Sequence, residues 1–308
     1  MPLSRRSPDF DVLCLGLANH DMVAAVEGYP LPDSKVEVMD LVEQGGGPAA
    51  TAAVAVARLG GRVAILMAVG DDERGDRILE GLAVEGVDVS RCVRVRGAVS
   101  PVSFVVVDRS AATRAIFRYS GTMKLSAADV DPELVASARV LLVDTHMPEA
   151  ALEAAAIARR SGVPVVLDAG EPKSGLESLM SVADYPTPPL ETAQWLSGEQ
   201  DPERAALAML RDEARAVVVT MGADGHLVVS GEGMWRERAF EVDVVDTTGA
   251  GDAFHGGFAL ALAQGQPVRD AARFGAAVAA LKCREPGGRS GLPTMSEVEN
   301  LLAHPRYR

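Results

Sequence analysis

The segment DVVDTTGAGDAFHGGFALALAQG, from Asp243 to Gly265, carries the strongest structural signal in the sequence. β-branched residues at Val242–Val245 precede the small residues Gly249–Gly251, and an apolar helical stretch begins at Asp252. Small residues let successive N–H groups point into one concavity at a helix N-terminus, where the helix dipole favours negative charge. The segment therefore predicts a phosphate-binding turn between an extended segment and a helix.

Much of the chain alternates short β-branched runs with Ala- or Leu-rich stretches, in which apolar residues recur every three or four positions. The predicted strands are Val12–Gly16, Val63–Val69, Val140–Asp144, Pro164–Asp168 and Ala216–Met221. The predicted helices are Pro48–Leu59, Arg74–Glu85, Pro148–Ser161 and Pro202–Glu213. This alternation is typical of a layered α/β fold with a buried parallel sheet.

Two stretches break the alternation, Met22–Gln44 and Ser100–Tyr119. The second has two strand-like halves around a polar turn at Asp108–Thr113, which predicts a hairpin. The residues leave two interpretations open: a small β-sheet lid that lies off the main sheet, or strands that extend the edge of the main sheet.

The composition of the chain limits its possible partners. The 308 residues are 48% hydrophobic and 24% charged, as in globular proteins, and the longest apolar runs fall short of the roughly 18 to 20 residues of a membrane span. A formal net charge of −13 without a Lys/Arg cluster disfavours nucleic acid. Three cysteines at no metal-ligand spacing favour a reducing cytoplasm. Arg5 and Arg6 precede too short an apolar run to predict export.

Asp252 is the candidate catalytic residue of the glycine-rich turn. A carboxylate directly after an anion-binding turn is placed to accept a proton from an attacking hydroxyl, while the turn amides hold the transferred group. The helix dipole is expected to keep this carboxylate ionised at neutral pH. The alternative interpretation is a plain helix N-cap, which is the usual role of an isolated Asp before a helix.

Two motifs far apart in the chain resemble those of one protein family. DTTGAGDAFHGG, from Asp246 to Gly257, resembles the C-terminal signature of the ribokinase-like (PfkB) carbohydrate kinases. QGGGPAATAAVAVARLG, from Gln44 to Gly60, resembles their N-terminal signature. VGDDERG at Val69–Gly75 and VVVTMGADG at Val217–Gly225 add to a likeness that covers essentially the whole chain.

The resemblance implies one doubly wound α/β domain over residues 1–308, with a mostly parallel sheet flanked by helices and a small β-sheet lid from residues of about 22–44 and 100–119. It implies a kinase that phosphorylates a sugar hydroxyl with ATP and Mg²⁺, and in which Asp252 is the catalytic base. The implied anion hole consists of the amides of Gly249, Ala250, Gly251 and Asp252.

The resemblance also implies binding residues. Asp21 would bind sugar hydroxyls, since a carboxylate accepts two hydrogen bonds from a vicinal diol, whereas the residue alone could be a turn Asp. The glycines that let the backbone approach the sugar would be Gly45, Gly46 and Gly47. The nucleotide site would be lined by Thr220, Gly222 and Gly225, which otherwise read as an ordinary strand-to-turn connection.

The ions of the reaction have candidate ligands as well. Asp246 and Thr248 resemble members of a loop that binds a monovalent cation such as K⁺ beside the anion hole. The family's NxxE motif should fall near Pro189–Thr192, where the chain has no Asn. Glu191 is the carboxylate close by, and it either acts on Mg²⁺ through water or is a solvated residue at a helix start. Ala50 replaces a frequent sugar-contacting Asn, so the substrate is expected to differ from that of ribokinase itself.

Within the family the chain resembles the sulfofructose kinases, through GGGPAAT at Gly45–Thr51 and AALKCREPGGRSGLP at Ala279–Pro293, and more distantly the ketohexokinases. Lys35 matches a lid lysine that contacts the sulfonate in those enzymes. Arg118 and His146 stand in place of the other sulfonate ligands and could bind a sulfonate or phosphate. The alternatives are a solvated charge on a lid strand and a loop residue that caps a helix.

These residues predict a ketohexose or an anionic ketose such as sulfofructose as the acceptor. A hexose phosphate or a nucleoside is the alternative, although aromatic residues, which would pack on a base, make up only 4% of the chain. A sugar or nucleotide sensor without turnover is a different class that also fits. Val102–Val107 and Ile116–Phe117 supply an apolar face through which the lids of a homodimer could pair, or which could cover the sugar.

Overall fold

The computed structural model describes residues 8–111, 113–211 and 213–307, which form fourteen strands and ten α-helices. The strands are β1 (Phe10–Leu15), β2 (Asn19–Val26), β3 (Asp40–Gly46), β4 (Val63–Leu66), β5 (Ala68–Gly70), β6 (Val93–Val95), β7 (Val102–Asp108), β8 (Thr113–Tyr119), β9 (Ala138–Val143), β10 (Val165–Asp168), β11 (Tyr185–Thr187), β12 (Ala216–Thr220), β13 (His226–Ser230) and β14 (Gly233–Glu237). The helices are α1 (Pro48–Arg58), α2 (Glu73–Val84), α3 (Pro132–Ala136), α4 (Pro148–Ser161), α5 (Leu176–Met180), α6 (Leu190–Ser197), α7 (Pro202–Met209), α8 (Ala250–Ala263), α9 (Val268–Lys282) and α10 (Met295–Ala303). None of these helices is long and apolar enough to cross a membrane. Arg5 and Arg6 lie outside the described residues.

Five parallel strands form the main sheet in the order β11–β10–β9–β1–β4. Side chains alternate across β1: Val12 and Cys14 belong to a core cluster with residues of α1, α8 and α9, while Leu13 and Leu15 belong to a second cluster with residues of α3, α4 and α7. All four side chains are fully buried, as expected for a parallel sheet with helices on both faces. The predicted α/β fold with a doubly wound, mostly parallel sheet is confirmed.

Several predicted elements differ from the observed ones. The predicted strand Val63–Val69 is divided into β4, in the main sheet, and β5, which pairs with β6. The predicted helix from Pro202 ends at Met209. Val242–Val245, predicted only as an extended segment, belongs to no strand of the described chain. β12, β13 and β14 form an antiparallel sheet, which one parallel bridge from Thr220 to Pro189 joins to the main sheet.

A separate four-stranded sheet has the order β3–β2–β7–β8. β2 runs antiparallel to β3 and parallel to β7, and β7 and β8 form the predicted hairpin. Residue 112, in the predicted turn of this hairpin, lies outside the described residues. The predicted small sheet is therefore present and does not extend the edge of the main sheet, while its action as a lid stays a prediction.

The N-terminal signature helix meets the loop after α9 at the C-terminal end of α1. The guanidinium of Arg58 makes two hydrogen bonds to Glu85, at 2.9 and 2.7 Å. Its Nη1 also donates to the main-chain oxygens of Arg289, at 2.9 Å, and Leu292, at 3.2 Å. Arg58 thus fixes the loop after α9 against the N-terminal signature helix.

Candidate active site

The turn before α8 keeps most of the predicted anion-binding geometry. Gly249 is the N-cap of α8, with a φ of 74° in the left-handed region that favours glycine. The amides of Gly249, Gly251 and Asp252 have no backbone acceptor among the described residues, whereas the Ala250 amide donates to the carbonyl of Thr247 at 3.1 Å. The predicted hole of four amides is therefore reduced at Ala250, whose N–H already has a partner within the turn. The free amides lie at the positive end of α8, where an anion binds well.

Asp252, on the first turn of α8, is half-buried as a residue, and its carboxylate makes no hydrogen bond to another described residue. It does not cap the helix, because Gly249 occupies the N-cap position. Burial and the negative charge of Asp168 raise the pKa of Asp252 to about 7, against the opposing effect of His255. The prediction that the dipole keeps Asp252 ionised at neutral pH holds only in part, because burial and a like charge leave the carboxylate partly protonated there.

A buried ion pair lies one helical turn beyond Asp252. Nδ1 of His255 is 3.3 Å from Oδ2 of Asp168, at the end of β10, and Nε2 donates to the carbonyl of Thr187 at 3.1 Å. Burial disfavours the charged form of both groups, but their mutual attraction outweighs it, so the pKa of His255 is raised and that of Asp168 is lowered. The pair holds α8 against the carboxyl ends of β10 and β11.

Arg289 places a buried positive charge beside the turn. Its Nη2 donates to the main-chain oxygen of Gly46 at 2.8 Å, and its side chain is only 8% exposed. Burial lowers the pKa of Arg289 to about 10, while the negative charges of Asp21 and Asp252 favour its charged form. Arg289 therefore stays charged at neutral pH, close enough to both carboxylates to interact with each.

Asp21 lies in β2, and the glycines that it faces have a clear steric role. Nδ2 of Asn19 donates to Oδ1 of Asp21 at 2.6 Å, and burial raises the pKa of Asp21. A Cβ on Gly46 would collide with the Asp21 carboxylate, and a Cβ on Gly45 would collide with the guanidinium of Arg289. These glycines thus leave room for two side chains of the site itself, and their contact with a sugar stays a prediction.

Asp144 connects the ends of the central strands. Its buried carboxylate accepts hydrogen bonds from the amides of Leu17, at 2.7 Å, Ala49, at 3.2 Å, and His146, at 2.8 Å. Gly47 has a φ of 93°, and a Cβ there would lie 2.5 Å from the carbonyl oxygen of Leu17. This junction lies between β1 and β9, at the point where the strand order reverses and open α/β sheets bind ligands.

Basic side chains gather near the same edge. Nη1 of Arg118, on β8, donates to Nε2 of His146 at 3.3 Å. Nζ of Lys173 donates to the carbonyl of Thr145 at 2.8 Å. Burial lowers the pKa of Lys173, and the charge of Arg118 lowers it further, although the negative charge of Asp144 opposes this shift. The structure thus brings the predicted Arg118 and His146 together, whereas the predicted Lys35 is exposed between β2 and β3 without an ion pair to a described residue.

The predicted nucleotide-binding residues lie at the end of β12. The Thr220 amide donates to the carbonyl of Pro188 at 3.1 Å, and Gly222 is exposed with a φ of 56°. Gly225 has a φ of 91°, and a Cβ there would lie 2.8 Å from the amide nitrogen of Ala239. Close packing therefore explains Gly225, and the contact of this segment with a nucleotide stays a prediction.

The predicted ion ligands differ in their surroundings. Oδ1 of Asp246 accepts hydrogen bonds from the amide and the hydroxyl of Thr248, at 2.8 and 2.7 Å. Glu191 is exposed in the first turn of α6. In the described ranges no three His, Cys, Asp or Glu side chains come together in a group that could hold a metal ion.

Several site residues were not predicted from the sequence, namely Asp144, Asp168, Lys173, His255 and Arg289. The two aspartates end predicted strands, and the rule that α/β sheets bind ligands at the carboxyl ends of their strands would have selected them. The histidine and the arginine stand inside motifs that were quoted for other residues. Lys173 has no such signal, because it becomes part of the site through a loop.

A cavity of about 1070 Å³ lies at the opposite edge of the main sheet, where Phe10, Ser137 and Gly162 line it. This edge holds the amino ends of β1 and β9, far from the free carboxylate and amides of the turn. Because ligands of open α/β sheets bind at the carboxyl ends of the strands, we place the candidate active site around Asp252.

Comparison with known proteins gives consistent matches over nearly the whole chain. The profile of the pfkB family carbohydrate kinases matches residues 9–295. Ribokinase from Haemophilus influenzae is 32% identical over 299 residues, covering 94% of this chain and 97% of that protein. A nucleoside kinase from Methanothermobacter thermautotrophicus is 26% identical, with 95% of each chain covered. The crystal structure of ribokinase from Thermotoga maritima superposes with a TM-score of 0.86 at 29% identity, covering 96% of this chain and all of that one.

Proposed function

The chain belongs to the pfkB family of carbohydrate kinases, and from this premise we propose that it transfers the γ-phosphoryl group of ATP to a hydroxyl of a small sugar, with Asp252 as the general base. The predicted family and the predicted enzyme class, a sugar kinase, are confirmed. The narrower likeness to sulfofructose kinases and ketohexokinases stays a prediction.

One observation carries the assignment of the base: an unpaired carboxylate stands beside free amides at the start of α8. The amides of Gly251 and Asp252 have no backbone acceptor at the positive end of the helix, where an anion would bind, and the carboxylate is free to accept a proton. A pKa of about 7 suits a base that works near neutral pH, since it combines a sizeable ionised fraction with good proton affinity.

The proposed step is an in-line displacement at the γ-phosphorus. The sugar oxygen forms a bond to phosphorus, the bond from phosphorus to the bridging oxygen of ADP breaks, and the hydroxyl proton moves to the carboxylate of Asp252. The turn amides and the charge of Arg289 stabilise the negative charge on the transferred group. The His255–Asp168 pair keeps α8, and with it Asp252, in place against the sheet.

Mg²⁺ fits this site as an ion that ATP brings with it. Mg²⁺ is usually bound through phosphates, waters and one or two carboxylates rather than by a complete protein cage. The exposed Glu191 carboxylate at the start of α6 could hold it in this way, consistent with the lack of a three-carboxylate group among the described side chains. When bound, Mg²⁺ would neutralise charge on the phosphates.

We propose an acceptor sugar with an anionic group, such as a sulfonate or a phosphate. The support is the basic cluster of Arg118, His146 and Lys173, because guanidinium and ammonium groups bind such oxygens with charge-assisted hydrogen bonds. Asp21 would hold hydroxyls at the other side of the sugar. Lys35 would join the cluster if the loop between β2 and β3 moves toward the sugar as a lid does.

Ribose is the second candidate acceptor. Its support is the 32% identity to a ribokinase over nearly the whole chain. A neutral pentose would make no use of the basic cluster, so the two candidates differ in their dependence on Arg118 and Lys173. A nucleoside is a weaker candidate than ribose, since the sequence identity to the nucleoside kinase is 26%, against 32% to the ribokinase.

A panel of acceptors tests the proposal. ADP release is measured with ATP, Mg²⁺ and each of sulfofructose, a hexose phosphate, fructose, ribose and adenosine. Sulfofructose or the hexose phosphate is expected to have the highest kcat/KM, and Arg118→Gln and Lys173→Gln should each raise its KM by about tenfold, as expected for the loss of a charged hydrogen bond. Arg139→Gln is the control, because Arg139 pairs with Asp11 at the opposite edge.

Each outcome of the panel has one meaning. Highest activity with ribose, unchanged in both variants, would replace the anionic sugar by the second candidate. Thermal stabilisation by a sugar without ADP release from any acceptor would instead indicate a sensor.

The small sheet is also the proposed contact of a homodimer. Phe104 and Phe117 lie opposite each other on β7 and β8, where they are 47% and 64% exposed, and Ile116 is 53% exposed. An exposed apolar patch of this kind marks an interaction surface. Light scattering should give twice the chain mass for the wild type and a lower mass for Phe117→Ser, whereas a monomeric wild type would contradict the proposal.

The proposed location is the cytoplasm. Its support is that Cys14, Cys92 and Cys283 are unpaired, as is usual for thiols in a reducing compartment. Burial raises the pKa of the Cys92 thiol to about 12, which leaves it unreactive at neutral pH.

A further inference from the structure

The carboxylate of Asp246, the predicted ligand of a monovalent cation, is already fully engaged. Oδ1 accepts both hydrogen bonds from Thr248, and Oδ2 accepts the amide of Gly287 at 2.8 Å. Nη1 of Arg114, on β8, lies 3.5 Å from Oδ1. A potassium ion here would have to displace hydrogen bonds and approach a guanidinium.

The main-chain oxygen of Asp246 is occupied as well. Nζ of Lys282, at the end of α9, donates to it at 2.9 Å, and the Lys282 side chain is fully buried. The amide of Asp246 donates in turn to the carbonyl of Cys283 at 3.2 Å. The ammonium therefore lies where the loop before α8 meets the loop after α9, and both loops frame the phosphoryl-binding turn.

A buried ammonium with a carbonyl ligand supplies what a bound monovalent cation supplies, a fixed positive charge that holds backbone oxygens in place. Burial lowers the pKa of Lys282, while the charges of Asp246 and Asp252 favour its protonated form, which places this cation within electrostatic reach of the proposed base. The ammonium of Lys282 and the guanidinium of Arg114 give Asp246 two cationic neighbours, so both would repel a third cation at this position.

We propose that the ammonium of Lys282 takes the place of a monovalent cation beside the anion-binding turn, so that this kinase works without K⁺. The predicted cation loop does not fit a potassium ion, because the oxygens of Asp246 already accept hydrogen bonds from Lys282, Thr248 and Gly287. The hydroxyl of Thr248 is itself a donor to Asp246. The inference rests on the proposed kinase activity for its rate measurements, but not for its stability measurements.

The first experiment compares wild-type enzyme in KCl, NaCl and choline chloride at equal ionic strength. We expect kcat/KM to differ by less than about twofold among these salts and the Tm to show no rise specific to K⁺, because the charge is already built in. An activation of about tenfold or more by K⁺, or a K⁺-specific rise in Tm, would overturn the proposal. The Tm measurement tests for specific K⁺ binding even if no acceptor sugar has been found.

The second experiment removes the ammonium with Lys282→Met, which keeps the apolar stem. We expect a loss of about tenfold or more in kcat in choline chloride, with partial recovery in KCl or NH₄Cl, and a Tm that now rises with K⁺. Arg284→Met is the matched control, because Arg284 is an exposed cation in the adjoining loop that pairs with Glu297. A variant that keeps wild-type rate and Tm in every salt would refute the role, and if it fails to fold, the wild-type salt series decides alone.

Discussion

Replacement of Asp252 by Asn, followed across pH, tests the assigned base directly. Because the pKa of Asp252 is about 7, wild-type kcat/KM should level off above about pH 8 and fall about tenfold per pH unit below about pH 6, as the ionised fraction falls. The Asn side chain cannot accept the proton, so we expect a loss of about 10²- to 10⁴-fold on the plateau. The residual kcat/KM of Asp252→Asn should not show this fall at low pH, which is the acid limb of the profile.

The assay is direct chromatography of ADP at constant ionic strength and excess Mg²⁺, which avoids coupling enzymes with pH profiles of their own. Asp243→Asn changes an exposed carboxylate before the turn and serves as the control. An acid limb that persists in Asp252→Asn would assign the titration to ATP or the sugar. An unchanged plateau rate would remove Asp252 from the mechanism.

Three further predictions concern the same site. Folding raises the pKa of Asp252, so the ionised carboxylate destabilises the folded state; this destabilisation is absent below about pH 4 and complete above about pH 7. Asp252→Asn should therefore raise the Tm more at about pH 8 than at about pH 5, and equal shifts would contradict the raised pKa. Arg289→Met removes a positive charge that lowers the pKa of Asp252, so the acid limb of kcat/KM should move to higher pH, whereas an unmoved limb would leave Arg289 with a structural role only. Gly249→Ala and Gly60→Ala both place a Cβ at positive φ, which costs about 1–2 kcal/mol, but the new Cβ lies 2.7 Å from the oxygen of Gly288 only at Gly249; calorimetry should show the larger fall in Tm there, and equal falls would show that the contact relaxes.

The sequence predicted the elements whose residues carry a local signal. β1 and the helix at Pro148–Ser161 were predicted almost to their ends, because continuous apolar runs and three- to four-residue spacing do not depend on distant contacts. Val242–Val245 was predicted only as an extended segment, and it forms no strand. β-branched residues favour a strand only where another strand pairs with them, and here Val244 and Val245 are 46% and 63% exposed.

The protonation of the site depended on contacts that no motif contains. Asp252 and its helix start followed from the glycine turn, but its raised pKa comes from burial in the folded chain and from the charge of Asp168, which lies on a distant strand. The role of Arg289 follows from its approach to Gly46, across more than half the chain. Lys282 was quoted only as part of the segment Ala279–Pro293, and the fold places its ammonium on the carbonyl of Asp246.

The link from Arg58 to the loop at Arg289 and Leu292 has a consequence for biosynthesis. A nascent chain that has emerged as far as Lys282 can already pair β1 with β4 and β9, yet it lacks the guanidinium that approaches Asp21 and Asp252. Premature termination after α9 would therefore remove this guanidinium from beside Asp21 and Asp252, together with the two carbonyls that Arg58 binds.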